Sequence, residues 1–129
     1  IEGGLALDEV IAFGRALYEM GYDYLHLTSG GNAPRADIPG AEPGYQVRFA
    51  EAVKQAVPDA TVMAVGMIFD PQQAEDIVAS GQADLVAIAR AVLDDPNWAH
   101  HAAVTLGHGE GLPPQYQRAD KAHWPGYGR

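Results

Sequence analysis

Two residues of this 129-residue chain stand where an anion could be held. Gly66 closes the apolar run TVMAV (Thr61–Val65), and Arg90 closes a second one within DLVAIAR (Asp84–Arg90). Glycine lets a ligand approach the backbone closely. Free N–H groups at the start of a following helix attract phosphate. Arginine adds a permanent charge and a planar donor fork matched to phosphate oxygens. Two successive strand–helix units, one giving Gly66 and the next Arg90, would make a phosphate site. A plainer reading makes Gly66 a tight turn and pairs Arg90 with Asp94 at i,i+4 spacing. Spacing alone does not separate the two.

Other candidates carry less. Ser29-Gly30-Gly31 follows a short β-prone stretch and reads as a flexible exit turn, or as a small-residue loop able to line a flat ligand. His26 lies among apolar neighbours and is expected to be a hydrogen-bonded core histidine. His100 and His101 are adjacent on a helix and so face different directions, a poor metal pair, and His108 and His123 fall in the tail. No metal site is expected, since no carboxylates accompany them at ligand spacing. Glu75, Asp76, Asp94 and Asp95 read as solvated faces and caps, and no Gly-x-Ser-x-Gly elbow is present. The tail combines Tyr116, Arg118, Trp124 and Tyr127, residue types that dominate interfaces, and it is expected to dock on this subunit or on a neighbour.

The elements that must position these residues alternate. A helical period from Leu7 to Met20 runs through Val10, Phe13 or Gly14, and Leu17, with Gly21 as its stop. A strand follows over Tyr24–Thr28. Three prolines and two glycines between Asn32 and Gly44 then mark a long irregular connection. A helix over Val47–Val57 ends at Pro58, and a strand over Thr61–Val65 ends at Gly66. Asp70-Pro71 starts a third helix, with Asp as N-cap and Pro at the first helical position. A strand over Leu85–Ile88 follows, and Asp95-Pro96 signals a last helix to about Leu106. Residues 1–107 thus form βα units, and residues 108–129, rich in Gly and Pro, an extended tail. Apolar strands such as Leu85–Ile88, each followed by a helix, imply a parallel sheet covered by helices, with the strands covered on both faces. Three such strands leave both edges open, so the chain is either a small open α/β domain or the last part of a (β/α)8 barrel, whose full length is about 250 residues.

Composition narrows the function class. The sequence has 8 basic and 17 acidic residues, a net charge of -9, which disfavours nucleic acid and anionic membranes. No apolar run approaches a membrane span, no signal peptide is visible, and there is no cysteine. A cytoplasmic setting fits.

The stretches GYDYLHLTSGG, PGYQVRFAEAVKQ, TVMAVGMI, GQADLVAIARAVLDDPNWAHHAA and PPQYQR together resemble the Old Yellow Enzyme, or NADH:flavin oxidoreductase, family, and within it the bacterial enoate and xenobiotic reductases. They occur in order and cover nearly the whole chain. The resemblance implies a (β/α)8 TIM barrel holding FMN at its C-terminal face, with this chain supplying about strands 6–8 and the tail. It implies that Gly66, Met67, Ala89 and Arg90 bind the FMN phosphate. Members of the family often have Gly where this chain has Ala89, a change that keeps the backbone N–H. It further implies that Arg118, with Tyr116 and Trp124, reaches a substrate or a neighbouring subunit's active site in a homo-oligomer. The family's proton-donor tyrosine, histidine pair, flavin-tuning cysteine or threonine and strand-5 arginine have no counterpart here and are expected upstream of Ile1.

The expected function is therefore the FMN-binding segment of an ene-reductase that uses NADPH or NADH to reduce activated C=C bonds of α,β-unsaturated carbonyl compounds. No catalytic residue lies in the segment, which is expected to be inactive without the N-terminal barrel strands. Another FMN barrel oxidoreductase, or a small non-enzymatic module for phosphorylated ligands, are the alternatives.

Overall fold

A computed structural model describes residues 3–31, 42–108 and 112–127. Most of the expected connection between Asn32 and Gly44 lies outside the described residues. In chain order the elements are helix α1 (Leu7–Glu19), strand β1 (Tyr24–His26), helix α2 (Val47–Ala56), strand β2 (Thr61–Ala64), helix α3 (Pro71–Ala79), strand β3 (Leu85–Val86), helices α4 (Arg90–Asp94) and α5 (Trp98–Thr105), and a 3₁₀ helix (Pro114–Ala119). The strands form one parallel sheet in the order β1-β2-β3. Leu25 is level with Val62, and Met63 with Leu85. Parallel pairing requires a crossover between strands, and α2 and α3 supply the two crossovers, so this is an α/β architecture.

The core lies between sheet and helices. Ala50 and Val53 of α2 and Val62 and Ala64 of β2 are fully buried. Gly14 settles which side of α1 faces inward: a Cβ there would stand 3.2 Å from Val53 Cγ1 and 3.5 Å from Leu25 Cδ1. The missing side chain lets α1 sit close to α2, while Phe13, next along, is exposed. Val10 and Leu17 join this contact, but Met20 is beyond the last helical residue and is exposed.

At the N-terminal end of the sheet one lysine gathers the chain. Lys54 Nζ reaches the carbonyls of Pro58 (2.8 Å) and Ala60 (2.9 Å) and Asp84 Oδ2 at 2.9 Å. The Asp84 carboxylate also accepts the Val62 N–H at 2.8 Å. Partial burial pushes the Asp84 pKa up, but the Val62 N–H and Lys54 outweigh it and hold the carboxyl below its usual range.

The Asp70-Pro71 helix start forms as expected: Asp70 Oδ1 accepts the Gln73 N–H at 2.9 Å, with Pro71 at the first helical position. Four other expectations need correction. Asp95-Pro96 does not start a helix. Asp95 ends α4, its carboxylate accepts the Asn97 N–H at 3.0 Å, and α5 begins at Trp98. His26 is exposed, not a core residue, because its face of the edge strand β1 has no covering element among the described residues. Leu85 is 42% exposed for the same reason on the opposite edge, so this strand is not covered on both faces. The stretch expected to be extended carries the 3₁₀ helix Pro114–Ala119, where Pro113 and Pro114 preset φ for a tight turn.

Candidate functional site at the strand exits

Because the three strands are parallel, their C-terminal ends open onto one edge, where ligands of α/β proteins bind. The turn after β2 is built from two residues of positive φ, Gly66 (+114°) and Met67 (+52°). For Met67 this is an uncommon backbone state. It is held by hydrogen bonds from the Gly44 N–H, just ahead of α2, to the carbonyls of Gly66 (3.0 Å) and Met67 (3.3 Å). In a trans peptide the N–H points opposite to the carbonyl, and no described peptide bond is cis. The N–H groups of Met67 and Ile68 therefore point away from Gly44, and no described residue accepts from them. Two neighbouring N–H groups left without a described acceptor are donors of the kind that anion-binding turns present.

Arg90 completes the arrangement from the next strand. It is the first residue of α4, and its Nη2 donates to Met67 Sδ at 3.9 Å. A thioether is a weak acceptor, so among the described residues most of the guanidinium's donor capacity is unspent. No described carboxylate pairs with Arg90, and the alternative pair with Asp94 does not form. The N–H groups of Ala89 and Arg90 likewise donate to no described residue. Replacing glycine by Ala89 therefore costs the site no donor. The four residues expected to share a site are thus at adjacent strand exits, with a cation that no carboxylate compensates and N–H donors that remain unspent among the described residues. That donor set fits a phosphate group.

The third exit is tied in by a residue the sequence did not single out. Gln46 is only 5% exposed. It occupies the N-cap position of α2, yet its side chain does not cap the helix. Instead Gln46 Oε1 accepts the Ser29 N–H at 2.7 Å, and Gln46 Nε2 donates to the Tyr45 hydroxyl at 2.6 Å. A Cβ on Gly66 would lie 3.0 Å from Gln46 Cβ and Cγ and 3.2 Å from Tyr45 Cε1. The only signal in the sequence is a glutamine where Ser, Thr, Asp or Asn would ordinarily stand.

Two further contacts fix the surroundings. Trp98 Nε1 donates to the Phe69 carbonyl at 2.7 Å, pinning the start of α5 to the loop after β2. His101 Nδ1 lies 2.5 Å from Asp95 Oδ2. That hydrogen bond, opposed by slight burial, keeps the Asp95 carboxyl below its usual range and braces the turn from α4 to α5.

The tail residues are elsewhere. Tyr116 and Trp124 face α5 across a cavity of about 870 Å³, also lined by His100, His101, Val104 and Tyr127. Both aromatics remain more than half exposed. Asp120 shapes the approach to Trp124 by accepting the N–H groups of Ala122 and His123, both at 2.9 Å. His123 Nδ1 closes on the same oxygen at 2.7 Å and holds that carboxyl low. Arg118 is exposed and does not line the cavity. Tyr116, Arg118 and Trp124 are therefore not brought to the strand-exit site within this chain. Among the described residues no helix is long and apolar enough to cross a membrane.

Residues 14–108 match the family described as NADH:flavin oxidoreductase / NADH oxidase. The chain is 41% identical over 118 residues to an NADPH dehydrogenase of Halalkalibacterium halodurans, an alignment covering 92% of this chain and 34% of that protein. It is 42% identical over 115 residues to an NADPH dehydrogenase of Bacillus subtilis, covering 89% and 33%. With an NADPH dehydrogenase of Listeria innocua it shares 38% over 119 residues, covering 92% and 34%. The chain thus spans about a third of the length of the curated relatives it matches.

Proposed function

Because the chain belongs to the NADH:flavin oxidoreductase / NADH oxidase family, we propose that it is the FMN-anchoring part of an NAD(P)H-dependent oxidoreductase. In the complete protein it would form about the last three βα units of a (β/α)8 barrel. The observation that carries this reading is the meeting of Arg90 with the Gly66–Met67 turn. Arg90, with the N–H groups of Met67, Ile68, Ala89 and Arg90, would hold the phosphate of FMN. When bound, FMN supplies hydride acceptance from NADPH or NADH and hydride donation to an activated alkene such as an α,β-unsaturated ketone.

What this chain's residues do is bind and orient. The guanidinium neutralises a phosphate at the mouth of the sheet, and the Gly66–Met67 turn, tied to Gly44, keeps its N–H donors aimed away from that loop. Anchoring one end of a flat cofactor fixes the distance of its reactive end from whatever lies opposite. Proton donation and substrate polarisation fall to groups outside this chain. The tail aromatics and Arg118 form a separate element, proposed to reach the substrate side or a neighbouring subunit of a homo-oligomer.

The test is to produce the complete protein that contains this chain, record its flavin absorbance, and follow NADPH oxidation with a simple enone as acceptor. Bound FMN and enone-dependent turnover are expected. A folded complete protein that retains no flavin would overturn the reading. Turnover of dihydropyrimidines in place of enones would move it to a different FMN oxidoreductase.

A further inference from the structure

Gln46 is nearly fully buried, yet it is not used to cap its own helix. A buried amide is costly unless both its ends are satisfied. Here each end is satisfied by a different part of the strand-exit edge. The oxygen takes the Ser29 N–H, at the exit of β1. The nitrogen donates to Tyr45, whose ring, with the Gln46 methylenes, packs on Gly66 at the exit of β2. Gly66 has no side chain to hold the gap open, so the Gln46 stem sets how far the β2 turn stands from the β1 loop. Arg90 reaches Met67 from the exit of β3.

We infer that Gln46 is a positioning residue for the flavin site: it fixes the spacing between the Ser29–Gly31 loop and the Gly66–Met67 turn, and so the placement of the phosphate donors. The inference rests on the FMN reading above. Gln46 touches no cofactor itself and acts through Ser29 and Gly66.

Two substitutions separate this from a general contribution to stability. Gln46→Met keeps the length of the side chain and removes both polar ends. Gln46→Glu keeps an oxygen for the Ser29 N–H and can accept from the Tyr45 hydroxyl. The complete protein is used, with FMN and riboflavin affinities read by flavin fluorescence and the exchange of the Ser29 amide read without ligand. For Gln46→Met, Ser29 exchange is expected to speed up by about tenfold or more, as for loss of a protecting hydrogen bond. The FMN dissociation constant should rise about tenfold, the equivalent of about 1.4 kcal/mol, and that of riboflavin by less than about threefold. Gln46→Glu should restore both flavin affinities to within about threefold of the parent. Unchanged Ser29 exchange in Gln46→Met would overturn the inference. So would equal losses of FMN and riboflavin affinity, which a general loosening of the fold would produce. A parent protein binding neither flavin would overturn the cofactor reading, and this role with it. Normal FMN binding by both the parent and Gln46→Met would overturn this inference alone.

Discussion

Arg90 Nη2 stands 3.9 Å from Met67 Sδ, so the side chain leaving β3 reaches across to the turn leaving β2. The thioether holds the guanidinium over the turn without neutralising it. Replacing Arg90 by Ala is expected to remove a charge-assisted contact of about 1.5–3 kcal/mol. FMN affinity in the complete protein should then fall about ten- to a hundredfold. Riboflavin, which lacks the phosphate, should bind as before, and the thermal midpoint should hardly move, since Arg90 is exposed. Fluorescence titration with both flavins checks this, and an unchanged FMN affinity would remove Arg90 from the site.

Gly66→Ala is expected to destabilise the chain on two counts. A φ of +114° strains any residue with a Cβ, costing on the order of 1–3 kcal/mol, and the new methyl would press on Gln46 at 3.0 Å. Urea unfolding should show a lower midpoint with an unchanged slope. Ala at Gly81, whose φ of +76° is also positive but whose Cβ would meet open space, should cost less.

Asp84 makes stability acid-sensitive. Its folded-state carboxyl lies below the unfolded value of about 3.9. The contribution is therefore fully present above the unfolded pKa and is lost as pH falls through the folded one. Asp84→Asn should be less stable than the parent at neutral pH, and the gap should close progressively below about pH 4. Urea midpoints across that range are the measurement, and a gap independent of pH would contradict the ion-pair account.

Trp98→Phe removes the donor to the Phe69 carbonyl while keeping an aromatic ring against the core. The expected loss is about 0.5–1.5 kcal/mol. Amide exchange should quicken in α5 before the sheet does, because the lost bond ties α5 to the sheet edge.

The tail should act on substrate and not on flavin. In the complete protein, Arg118→Ala and Trp124→Ala are expected to raise KM for an enone by about fivefold or more, the scale of about 1 kcal/mol at an interface anchor. Neither should change FMN content. Steady-state kinetics with a flavin count per subunit decides it, and lost flavin with unchanged KM would refute the separation of the two elements.

Much of this was legible in the residues. Asp70-Pro71 marks its helix because capping is local chemistry, written in two adjacent side chains. Gly66 and Arg90 show themselves because each closes an apolar run at a strand end. Gln46 was not legible, since its partners Ser29 and Gly66 lie 17 and 20 positions away in the sequence and only the parallel pairing brings them to it. The Asp95 signal misled because the same Asp-Pro pair that starts one helix can end another. Its carboxylate went to Asn97 and His101, which follow it, and not to a helix of its own. The burial expected of His26 and Leu85 followed from their apolar neighbours, but both lie on edge strands that no further strand flanks among the described residues.

Lys54 and Asp84 clasp the sheet at the end opposite Gly66 and Arg90. Cohesion and the proposed ligand contact therefore occupy different ends of the same three strands. A mutagenesis library confined to Phe69 and residues 89–92, and sparing the buried Ile68, could explore new cofactor or substrate preferences while most variants still fold. The same diversity placed at Lys54, Ala60, Val62 and Asp84 would be spent mostly on destabilised variants. For protein engineering, the distance between these two ends makes this edge a surface on which selection can act freely.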